Sequence, residues 1–269
     1  MRRVLLAICV LLTAGAGANG ALAANTPTRG FVVYKELRLH AVVDVRDAGG
    51  KLVSSTVEVA RTSKLASECG DSRHKFFGAR WRAFEPYEVN TSSIPAYLDR
   101  GEALADLVAA HAAWQTPFVT DCGRPSGPSP YRAIYGGTTT LRASLADNVT
   151  TDGFNVVEFR GLAGTVCDGA FACVVVEYKG GRLTEADMLL EADLTRYGFQ
   201  DYWTTEDTTW WNAVEGRYSL SDMATHEWGH FAGLDHAKSS PALTMFPFIH
   251  DGMQTLGLGD MKGLLVRYE

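Results

Sequence analysis

The stretch HEWGHFAGLDH at residues 226–236 constrains this chain more than any other part of it. Three of the seven histidines fall within these eleven residues. Residues four apart on a helix share a face, and residues 220–232 have helical spacing. A helix there aims His226 and His230 at one point. Glu227 is adjacent and can reach a metal-bound water without being a ligand. Gly233, three residues after His230, can take a left-handed conformation and end the helix in a sharp turn. That turn returns His236 toward the same point. Three imidazoles plus a water make an open tetrahedral zinc site of the catalytic kind. H-E-x-x-H alone is a weak signal, and Gly233 and His236 at their offsets sharpen it. A surface helix with unrelated histidines leaves their concentration unexplained. A downstream glutamate as third ligand has only Glu269 to draw on, and Asp235 is the stronger competitor to His236. The reading is one catalytic Zn2+ on His226, His230 and His236, with Glu227 as general base.

The N-terminus reads as an export signal. Arg2 and Arg3 precede an apolar run from Val4 to Leu12, then Ala21-Leu22-Ala23 supplies an A-x-A cleavage site, so residues 1–23 form a signal peptide. The run is too short to span a bilayer. The mature chain is therefore expected to be secreted, with no membrane anchor. A formal charge of -6 without a basic cluster argues against nucleic acid as a partner. Once Cys9 leaves with the signal, Cys69, Cys122, Cys167 and Cys173 remain, an even number in an exported chain. Cys167 and Cys173 close a small loop most simply, which leaves Cys69 with Cys122. A four-thiolate zinc site needs paired C-x-x-C spacing, which is missing.

Residues 30–61 alternate apolar and polar about a turn at Asp47-Ala48-Gly49-Gly50, which predicts a β-hairpin. Residues 24–70 thus form a β-rich N-terminal segment: an accessory unit, a propeptide, or an extra edge of the main sheet. Residues 71–269 form the catalytic domain. Within it, strands are expected at 87–90, 156–159, 174–178 and 183–190, and helices at 102–114, 220–232 and from Asp260 onward. Residues 199–217 read as a long loop.

H-E-x-x-H-x-x-G-x-x-H at 226–236 resembles the signature of the metzincin zinc endopeptidases. Leu243-Thr244-Met245-Phe246-Pro247 resembles their methionine turn, which implies Met245 as an apolar floor under the imidazoles. Within the clan the chain is most similar to the matrixins, in the manner of bacterial-type secreted members. Ser221 to Glu227, Met245 to Pro247, Leu258 to Leu264 and Glu185 to Leu190 carry that likeness. It covers roughly residues 80–269 and is strongest from 185 onward. Pro247 stands where astacins and serralysins place a tyrosine. Ala237 replaces the usual serine, and Asp260 follows Gly259 rather than a second aspartate.

The resemblance implies an α+β fold: a twisted mixed sheet, an active-site helix and a C-terminal helix, preceded here by the small hairpin region. It implies a protein or peptide substrate lying on an edge strand, by analogy near Leu162, Ala163, Gly164 and Thr165. It also implies a pocket wall over Pro247 to Asp251, with His250 on the surface, and a monomeric enzyme. A loop holding structural zinc and calcium has no counterpart, so neither a second zinc nor a calcium is indicated. Cys122-Gly123-Arg124-Pro125 resembles the latency cysteine motif but reads better as a disulfide loop. The alternative to an enzyme is a secreted zinc-containing binding protein with the same fold and little or no protease activity. An incomplete motif would support it, and here the motif is complete.

Overall fold

The computed structural model describes residues 27–37, 40–58, 69–83, 85–115, 129–131, 133–147, 149–193, 195, 201–206, 211–212, 217–238, 241–247 and 253–268. The expected signal peptide, Cys122 with its flanking motif, residues 248–251 of the expected pocket wall (His250 included) and Glu269 lie outside them. Among the described residues no helix is long and apolar enough to cross a membrane.

The N-terminal segment is a three-stranded meander: β1 (Arg29–Glu36), β2 (Ala41–Asp47) and β3 (Leu52–Glu58). The expected hairpin is β2 and β3, and Asp47 Oδ1 closes its turn by accepting from the Gly49 and Lys51 amides. The alternation through residues 37–45 is broken earlier than the sequence suggests. Leu37 donates its amide to the His40 carbonyl at 3.0 Å, so the chain reverses there and β1 becomes a separate strand.

After β4 (Lys75–Phe76) come β5 (Glu85–Val89), helix α1 (Arg100–Ala113), β6 (Ala133–Thr138), β7 (Val156–Arg160), β8 (Ala172–Lys179) and β9 (Arg182–Glu191). Eight strands form one mixed sheet in the order β3-β2-β1-β8-β9-β7-β5-β6. β5 runs parallel to β6 and β7, and β7 parallel to β9. β8 is antiparallel to β9, and β1 is antiparallel to β8. In this order β1–β3 extend the main sheet beyond β8.

Both faces of the sheet are covered at β8 and β9, which is why β8 is apolar through most of its length rather than alternating. Val174 and Val176 face the core beneath the helices, while Cys173 and Val175 face a second core with Phe31, Val33 and Leu145. Burying each such side chain contributes about 1.5–3 kcal/mol. Helix α2 (Leu220–Phe231) packs on β8, β9 and α1. Trp114 Nε1 donates to the Thr225 carbonyl and Trp228 Nε1 to that of Leu107, tying α1 to α2. The expected loop at 199–217 instead contributes β10 (Trp203–Thr204), β11 (Trp211–Asn212) and β12 (Arg217–Ser219), a small sheet that leads into α2. Beyond α2 come β13 (Leu234–Asp235) and the closing helix α3 (Leu258–Tyr268).

The Cys167–Cys173 disulfide joins the loop before β8 to its second residue, with Cα atoms 5.9 Å apart. Cys69 is also disulfide-bonded. Its expected pairing with Cys122 lies outside the described residues.

Candidate metal centre

Helix α2 starts at Ser219, whose hydroxyl accepts from the Asp222 amide at 3.2 Å, an N-cap that satisfies one orphan donor. It ends where the sequence puts the glycine. Gly233 has φ +87°, and its amide donates to the His230 carbonyl at 2.9 Å. β13 then pairs antiparallel with β4, Leu234 opposite Phe76 and Asp235 opposite Lys75. This short ladder turns His236 back toward the helix.

The three rings present one nitrogen each. His226 Nδ1 bonds the Thr244 carbonyl at 2.6 Å and His230 Nδ1 the Leu234 carbonyl at 3.0 Å. His236 Nδ1 lies 2.7 Å from Glu58 Oε2. Acceptors on all three Nδ1 atoms place the ring protons there and leave the Nε2 lone pairs facing one another. The Nε2 atoms are 3.1, 3.3 and 3.0 Å apart. A fourth atom joins them: Glu36 Oε1, at 2.8 Å from His236 Nε2 and 3.5 Å from both His226 and His230 Nε2. A tetrahedral zinc with bonds of ~2.0–2.1 Å needs ligand atoms roughly 3.3 Å apart. All six separations fall around that value, and the four side chains are almost wholly buried. Four lone-pair donors converging in a dry site require a positive charge among them, so the residues fit zinc.

Burial works against a charged His236, but Glu36 and Glu58 outweigh it and hold its pKa up at about 10, so a metal taken up at Nε2 must displace a proton from that ring. Burial, reinforced by His236, lowers the pKa of His230 to about 4. Glu227 is fully buried, and neither carboxylate oxygen has a hydrogen-bond partner among the described residues. Burial first, then the Glu36 charge, pushes its pKa well above the ordinary carboxylate range, which suits a group that must accept a proton.

Met245 is buried against α2 at Gly229. A Cβ on Gly229 would sit 2.1 Å from the Met245 sulfur and 2.8 Å from the Trp114 ring. Asp260 of α3 fixes the turn, accepting from the Thr244 and Met245 amides at 2.8 and 3.1 Å and from Gly257 at 2.9 Å. Asp235, the competitor for third ligand, is turned away onto Lys75 Nζ at 2.5 Å.

The expected edge strand at Leu162 and Ala163 is not one. Both follow β7, which β5 and β9 flank on its two sides. Leu162 is fully buried, with its amide on Glu191 Oε2, and Ala163 sits on an exposed turn. β8 packs against α2 and has β9 on one side, and β1 covers its other side.

Sequence reasoning missed Glu36, Glu58 and Tyr34. Tyr34 stacks on the His230 ring at 4.0 Å and 9°. Glu36 is 200 residues from His236. The one available signal was the period of two in β1, which puts Val32, Tyr34 and Glu36 on one face.

Residues 163–268 match the family model of the matrixins, peptidase M10. The match opens just before β8 and closes with α3, so β1–β7 lie outside it. No curated protein matches the chain.

Proposed function

With residues 163–268 placing the chain in the matrixin family of metzincins, we propose that it is a secreted zinc-dependent endopeptidase. The observation that carries this reading is the convergence of three Nε2 atoms within 3.3 Å of one another beside an unpartnered, buried Glu227. His226, His230 and His236 hold one zinc, and Met245 forms the apolar floor below them. When bound, the ion polarises the scissile carbonyl and acidifies the attacking water. Glu227 takes the proton from that water as its oxygen bonds to the carbonyl carbon. Glu227 then hands the proton to the amide nitrogen as the C–N bond breaks, so one carboxylate serves as base and then as acid. The Thr244 and Leu234 carbonyls keep the ring protons of His226 and His230 on Nδ1 and so keep their Nε2 atoms available. A peptide substrate lies extended and antiparallel along β8, adding to the sheet through main-chain hydrogen bonds.

We further propose export through residues 1–23, a monomeric mature protein, and residues 71–269 as the catalytic domain. Recovery of a mature N-terminus near residue 24 checks the first. The non-catalytic zinc-binding alternative is not favoured, because the general base is in place.

Because Glu36 stands among the ligands, the decisive assay uses the wild type and Glu36→Ala, each with and without Glu227→Ala. The expected result is one zinc per chain throughout. Cleavage of an unfolded protein should be abolished by a chelator and lowered about a hundredfold or more by Glu227→Ala. A chain without zinc sinks the reading. So does cleavage that survives the chelator or that Glu227→Ala leaves unchanged.

A further inference from the structure

Strand β1 occupies the place a peptide would take. It pairs with β8 over eight residues, from Arg29 opposite Lys179 to Glu36 opposite Ala172, in the antiparallel sense. Phe31, Val32, Val33 and Tyr34 are at most 1% exposed, so β1 is packed on both faces and not merely laid along an edge. Its period of two points Val32, Tyr34 and Glu36 at the helices, and the last two reach the metal centre. The group set against the three Nε2 atoms is a side-chain carboxylate. β1 therefore fills the edge without presenting its own backbone for hydrolysis.

From this geometry, and resting on the zinc reading above, we infer that Glu36 is a fourth protein ligand of the ion and that β1 is an internal occupant of the peptide-binding edge. The chain as folded is latent. Three protein nitrogens leave one position of a tetrahedron for water or substrate, which is the mark of a catalytic zinc site, whereas four protein ligands close it. Glu36 Oε1 completes the tetrahedron at 2.8–3.5 Å from the three nitrogens.

The strand is also held independently of Glu36. Phe31, Val32, Val33 and Tyr34 anchor it by removing their apolar surface from water. Arg29 pairs with Glu177 on β8 at 2.7 Å, and Lys35 pairs with Asp44 on β2 at 2.8 Å. Free peptides therefore do not compete β1 off at ordinary concentrations, and activation requires β1–β3 to leave β8. The same segment carries Glu58, the carboxylate facing His236 Nδ1. Departure of the meander removes the closing ligand and the partner of His236 together.

Cobalt replaces zinc in full-length wild type, Glu36→Gln and Glu36→Ala, and visible absorption reports the coordination shell. Acetohydroxamate is the probe for an open metal position, and cleavage of an unfolded protein is followed alongside. The wild-type spectrum should not respond to millimolar acetohydroxamate. Both variants should show an altered spectrum that shifts with the probe. Where β1 loosens, cleavage should rise about tenfold or more, in proportion to the competent fraction. A wild-type spectrum that shifts with the probe as readily as the variants overturns the inference, and needs no variant to fold. Identical spectra for wild type and Glu36→Gln overturn it as well. In both cases the zinc reading survives. Failure of the wild type to take up cobalt or zinc sinks the zinc reading instead.

Discussion

The metal centre is assembled by two regions in opposite ways. Residues 226–245 bring His226, His230, His236 and Met245 together mainly through local geometry, helix pitch and one left-handed glycine, with a single two-residue pairing to β4. The β1–β3 meander brings Glu36 and Glu58 through register alone, from 200 and 178 residues away, by pairing with β8 and folding back through β2. Local geometry survives many changes elsewhere in the fold. Register does not, because a slip of one residue turns Glu36 to the opposite face of the sheet. A group placed in that second way suits a contact meant to be broken.

The largest expected effect separates the two regions at the ion itself. His226→Ala removes a nitrogen from the preformed set and should abolish zinc retention, as measured by competition with a chromophoric chelator. Glu36→Gln should keep one zinc with affinity lowered by about 10–100-fold, the range associated with a weakened ligand shell. If Glu36→Gln loses zinc as completely as His226→Ala, the two regions are equal partners and the 226–236 segment is not a self-sufficient site.

That asymmetry also explains what the sequence revealed. Helix α2, Gly233, β9 and the Cys167–Cys173 loop are local objects, each recognisable within a dozen residues. The break at residues 37–40 hides inside a continuous alternation, because one backbone reversal leaves the apolar pattern almost intact. The analogy that puts an edge at Leu162 has no pattern to check it, because an interior parallel strand such as β7 (VVEF) and the covered strand β8 (CVVVEY) read alike when both faces of each are buried. The short strands between 203 and 219 carry too few residues to show any period. Nothing in the run VVYKE says that its glutamate ends beside three histidines.

The next comparison is mechanical. Gly229→Ala drives a methyl into the Met245 sulfur and the Trp114 ring, while Gly30→Ala drives one to 2.2 Å from the Arg46 carbonyl and 2.9 Å from the Tyr178 hydroxyl. Overpacking of this kind costs about 1–3 kcal/mol. Both variants should melt lower. Gly229→Ala should also disturb metal affinity by moving the turn, whereas Gly30→Ala should loosen β1 and open the cobalt site to acetohydroxamate. Equal metal affinity and equal closure in both variants would mean that the two regions are not mechanically separable.

Acid sensitivity should reside mainly with the helical region. His111 of α1 is buried against Tyr87 and Trp228, its Nε2 has no hydrogen-bond partner among the described residues, and burial lowers its pKa to about 4. The folded state binds this proton less readily than the unfolded state, whose pKa is near 6.5. The stabilising effect is thus complete above about pH 6.5 and is lost as pH falls toward 4. At pH 5 the loss is roughly 2 kcal/mol. His111→Phe should match the wild type near neutrality and exceed it at pH 5 in denaturant unfolding. A wild-type-to-variant difference that does not change with pH would remove His111 from the account.

The smallest expected effect concerns what holds the meander in place. Arg29 reaches Glu177 with Nε and Nη2 at 2.9 and 2.7 Å, but its side chain is 47% exposed. An exposed pair of this kind contributes about 0.2–1 kcal/mol and is screened by salt. By contrast, Phe31, Val32, Val33 and Tyr34 hold the strand through burial that salt does not weaken. Arg29→Ala should therefore shift unfolding by less than about 1 kcal/mol and leave the cobalt spectrum unresponsive to acetohydroxamate. Val33→Ala, which hollows the second core without touching the metal side of the strand, should cost more. If Arg29→Ala alone opens the site, the strand is clamped at its end, and closure depends on one salt-sensitive ion pair instead of on the core.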